Sequence, residues 1–180
     1  LIEFGVPFDT VDGEVALGKE GAHAMPRILH AGGDATGEHI EVTLGRRVRE
    51  SRIGVLEYCL ATDILMEDGV VKGVEALDAR TGSKEQFYCK QLVRATGGAG
   101  RLFKYTTNPE VATGDGVSLA YRAGAEIMDM EFFQFHPTCL YHPRAKGFLI
   151  SEALRGEGDV LRRIDGTPIM VHHDMGDLAP

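Results

Sequence analysis

Ala61-Thr-Asp-Ile-Leu-Met66, Glu67-Asp-Gly69 and Val70-Val-Lys-Gly-Val-Glu-Ala-Leu77 decide the fold class of this chain. Two runs rich in β-branched and aliphatic residues flank an Asp-Gly pair, the strongest short-range signal for a hairpin. Working outward, Gly54-Val-Leu-Glu-Tyr58 reads as a preceding strand and Ala79-Arg-Thr-Gly82 as a second turn. Gln86 to Cys89 and Gln91 to Ala95 then complete an antiparallel meander that leads into a central strand. On the amino-terminal side the period changes. Ile40, Leu44 and Val48 recur every fourth residue opposite Arg46, Arg47, Arg49 and Glu50, which predicts an amphipathic helix after the turn or cap signal Asp34-Ala-Thr-Gly37. Val15 to Leu29 reads as short strands and loops. A second helix is expected from Asp115 to Gly124, with Val117, Ala120 and Tyr121 on one face and Gly124 as its C-cap. The class is α/β with mixed α+β character.

The chain has 180 residues, enough for one core or for one domain and part of another. Its formal charge of -8 argues against a nucleic-acid surface, while local arginines remain able to receive an acidic small molecule. No apolar run is long enough to span a bilayer. Cys59, Cys89 and Cys139 are odd in number and show no metal spacing, so buried thiols in a reducing, cytoplasmic compartment are expected. His142, His172 and His173 lack a further ligand at a recognisable spacing, and no metal site is expected. Leu1 opens and Pro180 closes the chain in mid-pattern, which reads as a piece of a larger protein. A change in texture near Met130, to closely spaced aromatic and polar residues, marks a candidate domain boundary.

Two polar clusters carry chemistry. Glu131-Phe-Phe-Gln-Phe-His-Pro-Thr138 and Ser151-Glu-Ala-Leu-Arg-Gly-Glu-Gly158 are expected to bring His136, Thr138, Ser151, Glu152 and Arg155 to one pocket. An imidazole, hydroxyls, a carboxylate and a guanidinium suit a small anion, because arginine offers a planar fork to a carboxylate. The competing readings are a satisfied core histidine and a Glu152–Arg155 pair formed along one helix face. Phe132, Phe133 and Phe135 read as core, and Arg46 to Arg49 as a solvated helix face. Thr96-Gly97-Gly98-Ala99-Gly100 ends the expected central strand, where glycines let a ligand approach the backbone; an ordinary glycine-rich turn has the same residues. Asp115, in Thr113-Gly-Asp-Gly116, either caps its helix or accepts a hydrogen bond from a polyol.

Together, Arg94-Ala-Thr-Gly-Gly98, Tyr105-Thr-Thr-Asn-Pro109, Thr113-Gly-Asp-Gly116, Gln134-Phe-His-Pro-Thr138, Ser151 to Gly158 and Asp177-Leu-Ala-Pro180 stand in the order found in FAD-dependent fumarate reductases, succinate dehydrogenases and L-aspartate oxidases. The chain resembles that superfamily over its whole length. It is most similar to the L-aspartate oxidase branch, on Lys19-Glu-Gly-Ala-His23, Tyr141-His-Pro143 and the final Leu-Ala-Pro. The resemblance implies the second half of a Rossmann-like FAD-binding domain over 1–129 and the start of a substrate-capping domain over 130–180. It implies oxidation of L-aspartate to iminoaspartate, with oxygen or fumarate as acceptor and a functional link to quinolinate synthase in NAD biosynthesis. It places His136, Arg155 and Glu20 as catalytic residues, with Glu20 facing the substrate amine. Gln134, Thr138, Ser151 and Glu152 would bind the dicarboxylate, and Ala95, Thr96, Gly97, Gly98 and Asp115 the FAD.

Three features depart from the family pattern. The family's catalytic arginine follows Leu-Ala-Pro, so it falls beyond Pro180. The GxGxxG motif that cradles the FAD pyrophosphate is not in the chain. Arg94 occupies a position that is apolar in the family and is costly in a central strand unless paired. The 180 residues by themselves are therefore expected to bind FAD weakly and not to turn over, leaving a scaffold without cofactor as the reading from outside the enzyme class. Fumarate reduction or succinate oxidation is the nearest reading within it.

Overall fold

The computed structural model describes residues 1–21, 23–145, 147–174 and 176. The Asp177-Leu-Ala-Pro180 motif lies outside the described residues. In chain order the elements are β1 (Thr10–Val11), β2 (Glu14–Val15), β3 (Leu17–Gly18), β4 (Ile28–Leu29), α1 (Thr36–Arg49), β5 (Cys59–Glu67), β6 (Val70–Asp78), β7 (Lys84–Tyr88), α2 (Asp115–Arg122), β8 (Cys139–Leu140), β9 (Phe148–Leu149) and α3 (Glu152–Gly156). The mixed α/β class stands. Two compact units are present: Leu1–Gly54 with Pro137–Leu140 and Leu149–Pro180, and Val55–His136 with Tyr141–Phe148.

In the first unit, β3 pairs antiparallel with β4, Leu17 opposite Leu29 and Gly18 opposite Ile28. The Arg27 N–H donates to the Gly18 carbonyl at 2.9 Å, which closes the base of the loop carrying Glu20. Helix α1 has half-buried Ile40, Leu44 and Val48 on one side, with Thr43 buried beside them. Arg46, Arg47 and Arg49 are exposed in its last turn, where cations complement the helix dipole. Arg47 does more than face solvent, since its Nε donates to the Phe4 carbonyl at 3.0 Å. The Asp9 carboxylate accepts the Gly32 and Gly33 N–H groups at 2.9 and 3.0 Å, anchoring the turn that precedes α1.

The second unit is built on the expected meander, a three-stranded antiparallel sheet in the order β5-β6-β7. Asp68 (φ 50°) and Gly69 (φ 74°) form its first turn, the left-handed pair that matches strand twist. Helix α2 packs on β5, where Arg122 Nη2 donates to the Thr62 carbonyl at 2.6 Å and Nε lies 3.6 Å from Asp63. Gly124 (φ 89°) terminates α2 as expected. Among the described residues, the buried apolar ones are mostly small: Val6, Ala31, Ala76, Ala112 and Leu119.

Several expectations need correction. Gly54 to Tyr58 and Gln91 to Ala95 are not strands. A central strand needs ladder partners on its flanks, and neither segment has one among the described residues. The buried face of α2 is Gly116 and Leu119 with half-buried Val117 and Ala120, whereas Tyr121 is 68% exposed. Arg94 therefore lies exposed outside any strand, and the burial penalty argued for it does not arise. Phe132 is 80% exposed; Phe133 and Phe135 cluster with Phe103, ring centroids 4.6 and 4.9 Å away, at the surface rather than in a core. Cys59 and Cys89 are half-buried and Cys139 is exposed, so the thiols are not fully buried; all three are unbridged. No helix among the described residues is long and apolar enough to cross a membrane.

Candidate functional site

In the first unit the candidate site is assembled around α3. Ser151 is the N-cap, in extended backbone conformation, and its Oγ accepts the Ala153 N–H at 3.2 Å. Capping uses an acceptor lone pair and leaves the hydroxyl proton to point elsewhere. One turn on, Arg155 is 4% exposed and its Nη2 donates to Glu152 Oε2 at 2.6 Å; the Glu152 side chain is 21% exposed. The i,i+3 pairing weighed from sequence is thus formed. It is more than a surface pair, because a buried guanidinium requires a nearby carboxylate. Thr138 is buried, and its Oγ1 donates to the Ile150 carbonyl at 2.9 Å while the Ile150 N–H returns to the Thr138 carbonyl at 3.3 Å. That reciprocal contact fixes the residue preceding the Ser151 cap.

The loop bearing Glu20 sits directly on this helix. A Cβ at Gly21 would stand 2.5 Å from Glu152 Oε2 and 3.1 Å from Arg155 Nη2. Reciprocally, a Cβ at Gly156 would strike the Lys19 carbonyl and stand 2.9 Å from Glu20 Cα. Two glycines, one from each side, permit backbone and helix to approach to distances that no side chain allows. Glu20 itself is half-buried, and the His23 N–H donates to its carbonyl at 3.2 Å. Sequence patterning did not single out Gly21 or Gly156. A glycine kept for a long-range approach carries no local signal.

The other expected residues belong to the second unit. Ala95, Thr96, Gly97 and Gly98 form an exposed segment outside any helix or strand, with Gly97 in the left-handed region (φ 72°) and no atom within 4 Å of where its Cβ would stand. The Gly114 N–H donates to the Gly98 carbonyl at 3.2 Å, and Thr96 Oγ1 occupies the place where a Cβ on Gly116 of α2 would stand. Thr113 donates to Asp115 Oδ2 at 2.7 Å, and Asp115 is exposed at the helix start. His136 is half-buried and Gln134 exposed. A bare backbone edge beside an exposed carboxylate at a helix N-terminus fits a flat heterocycle carrying a polyol chain, so the donor set is compatible with a flavin. No group of three metal-ligating side chains occurs among the described residues.

Comparison with known proteins gives the same direction. The model of a family described as FAD binding domain matches residues 1–180. The chain is 44% identical to an L-aspartate oxidase of Yersinia pestis, covering all of this chain and 36% of that protein. It is 48% identical to an L-aspartate oxidase of Bacillus subtilis, covering all of this chain and 34% of that one. Among solved structures, an E. coli quinol fumarate reductase superposes with a TM-score of 0.85 at 35% identity, over 92% of this chain and 28% of that chain. The chain spans about a third of the length of the curated relatives it matches.

Proposed function

The chain belongs to the FAD binding domain family, and from that premise we propose that the whole protein oxidises L-aspartate to iminoaspartate. The observation that carries this reading is the Glu20–Gly21 turn seated on the buried Arg155–Glu152 pair. The Arg155 guanidinium, held in place by Glu152, is the cation of the site for a substrate carboxylate, and the Ser151 hydroxyl, already fixed by capping, donates beside it. Glu20 pairs with the substrate ammonium, which succinate and fumarate lack. His136 supplies an imidazole donor to the dicarboxylate, with Gln134 and Thr138 supporting its binding.

Ala95, Thr96, Gly97, Gly98 and Asp115 are the residues that would hold FAD. FAD, when bound, supplies the acceptor at N5 for the hydride leaving Cα. The nitrogen proton goes to a general base of the whole protein, so aspartate loses two electrons and two protons in all. Residues 1–129 complete the flavin-binding domain and residues 130–180 begin the cap, whose closure excludes water. The unstable imine suits immediate use by quinolinate synthase, and a cytoplasmic setting follows from that role. Oxygen or fumarate accepts the electrons in turn.

Fumarate reduction or succinate oxidation is the second reading, favoured by the fumarate reductase likeness of the fold. An anaerobic absorbance titration of full-length, FAD-loaded protein separates the two. L-Aspartate bleaches the flavin band and succinate does not if the first reading holds. Replacing Glu20→Gln lowers kcat/KM for aspartate by about tenfold or more and spares fumarate reduction. An equal loss of both activities would remove Glu20 from the amine.

A further inference from the structure

The loop bearing Glu20 carries a second polar side chain, His23, that the proposed reaction has not used. Nδ1 of His23 is shielded from solvent and makes no hydrogen bond among the described residues. A buried polar atom without a partner is costly, and each one in a native structure calls for an explanation, a ligand or a function among them. Its location narrows the choice. His23 lies on the loop whose Gly21 packs on the Glu152 carboxylate and the Arg155 guanidinium, and the Gly156 contact fixes that loop from the helix side.

The charge balance of this unit points to the same group. Arg155 is already neutralised by Glu152, and Glu20 adds a further carboxylate. A dianionic ligand entering here gains from a donor in addition to the shared guanidinium, the Ser151 hydroxyl and the His136 imidazole. We infer that His23 is a further ligand-contacting residue: with its proton on Nδ1, it donates a hydrogen bond to a carboxylate of the dicarboxylate substrate. The assignment rests on the dicarboxylate reading above. It divides recognition within one loop, with Glu20 selecting the amine and His23 holding a carboxylate common to all dicarboxylates.

Malonate is the probe, because it offers two carboxylates, no amine and no C–C bond to desaturate. Its Kd is read from the perturbation of flavin absorbance in full-length, FAD-loaded wild type and in His23→Ala, His23→Asn and Glu20→Gln variants. Loss of one hydrogen bond to a charged group raises the Kd in His23→Ala by about tenfold to a hundredfold. Asparagine places an amide N–H near the Nδ1 position, so His23→Asn recovers most of the affinity. Glu20→Gln binds malonate at least as well as wild type. Wild-type affinity in His23→Ala overturns the inference, as does a pair of His23 variants that lose FAD or melting temperature alike with malonate Kd unchanged. A Kd that rises for aspartate alone overturns the carboxylate assignment. Failure of wild type itself to bind malonate strikes instead at the dicarboxylate reading beneath it.

Discussion

Two glycine-to-alanine substitutions in two helices are expected to act in opposite directions, and the difference is worked from what each new methyl group meets. At Gly45, in the middle of α1, the nearest atom to an added Cβ is Arg49 Nη2 at 3.8 Å, the mobile end of a side chain. Only the helix-propensity gain remains, so Gly45→Ala stabilises by about 0.5–1 kcal/mol. At Gly156, in α3, the Cβ would collide with backbone: the Lys19 carbonyl, and Glu20 Cα at 2.9 Å. Neither atom can turn aside on a side-chain rotation, so the 19–21 turn must retreat by roughly 0.5–1 Å. Overpacking of that kind costs about 1–3 kcal/mol; the propensity gain offsets at most about 1 kcal/mol. With the full offset the net effect is a loss of up to about 2 kcal/mol.

The retreat carries Glu20 with it. Gly156→Ala is therefore expected to raise the KM for L-aspartate as well as to lower the temperature of flavin release, while Gly45→Ala leaves KM unchanged. Both are measured on the full-length, FAD-loaded protein, with melting followed by flavin fluorescence and steady-state oxidation by peroxide formation. A Gly156→Ala protein as stable as wild type, with unaltered KM, would refute the argument. It would mean that the loop rests beside α3 without being set by it.

Two further outcomes follow from local geometry. Removing the Ser151 cap with Ser151→Ala is expected to cost about 1 kcal/mol through the Ala153 N–H left unpaired, and Ser151→Thr should restore both stability and substrate affinity; unchanged melting in the alanine variant would remove Ser151 from the cap. The N–H groups of Gly33 and then Gly32 hold the Asp9 carboxyl below its ordinary range, so its contribution is full above that range and is lost as pH falls through the lowered folded value. Melting temperature recorded from about pH 5 to pH 2 should fall less steeply in Asp9→Asn than in wild type, and identical slopes would remove Asp9 from the acid transition.

What the sequence made legible, and what it hid, follows the range of the interaction in each case. The β5–β6 hairpin is decided within two turns of chain, by Asp68-Gly69 and the aliphatic runs beside it, and it was readable without any partner. The pairing of Glu152 with Arg155 is an i,i+3 contact and was readable for the same reason. Gln91 to Ala95 looked like a strand because its residue types suit one, but a strand exists only where a ladder forms, and composition does not report partners. Tyr121 failed similarly: the 3.6-residue period locates a face, yet Gly116 rather than Tyr121 lies against Thr96 and Arg94. The loop at Lys19–Gly21 and the helix at Gly156 are more than a hundred positions apart, so no window on the chain spans their contact. A missing Cβ reads locally as permission for a turn, and Gly156 makes none. Its meaning comes wholly from the backbone that passes over it, which is why the residue setting the position of Glu20 is invisible to pattern while Glu20 itself is not.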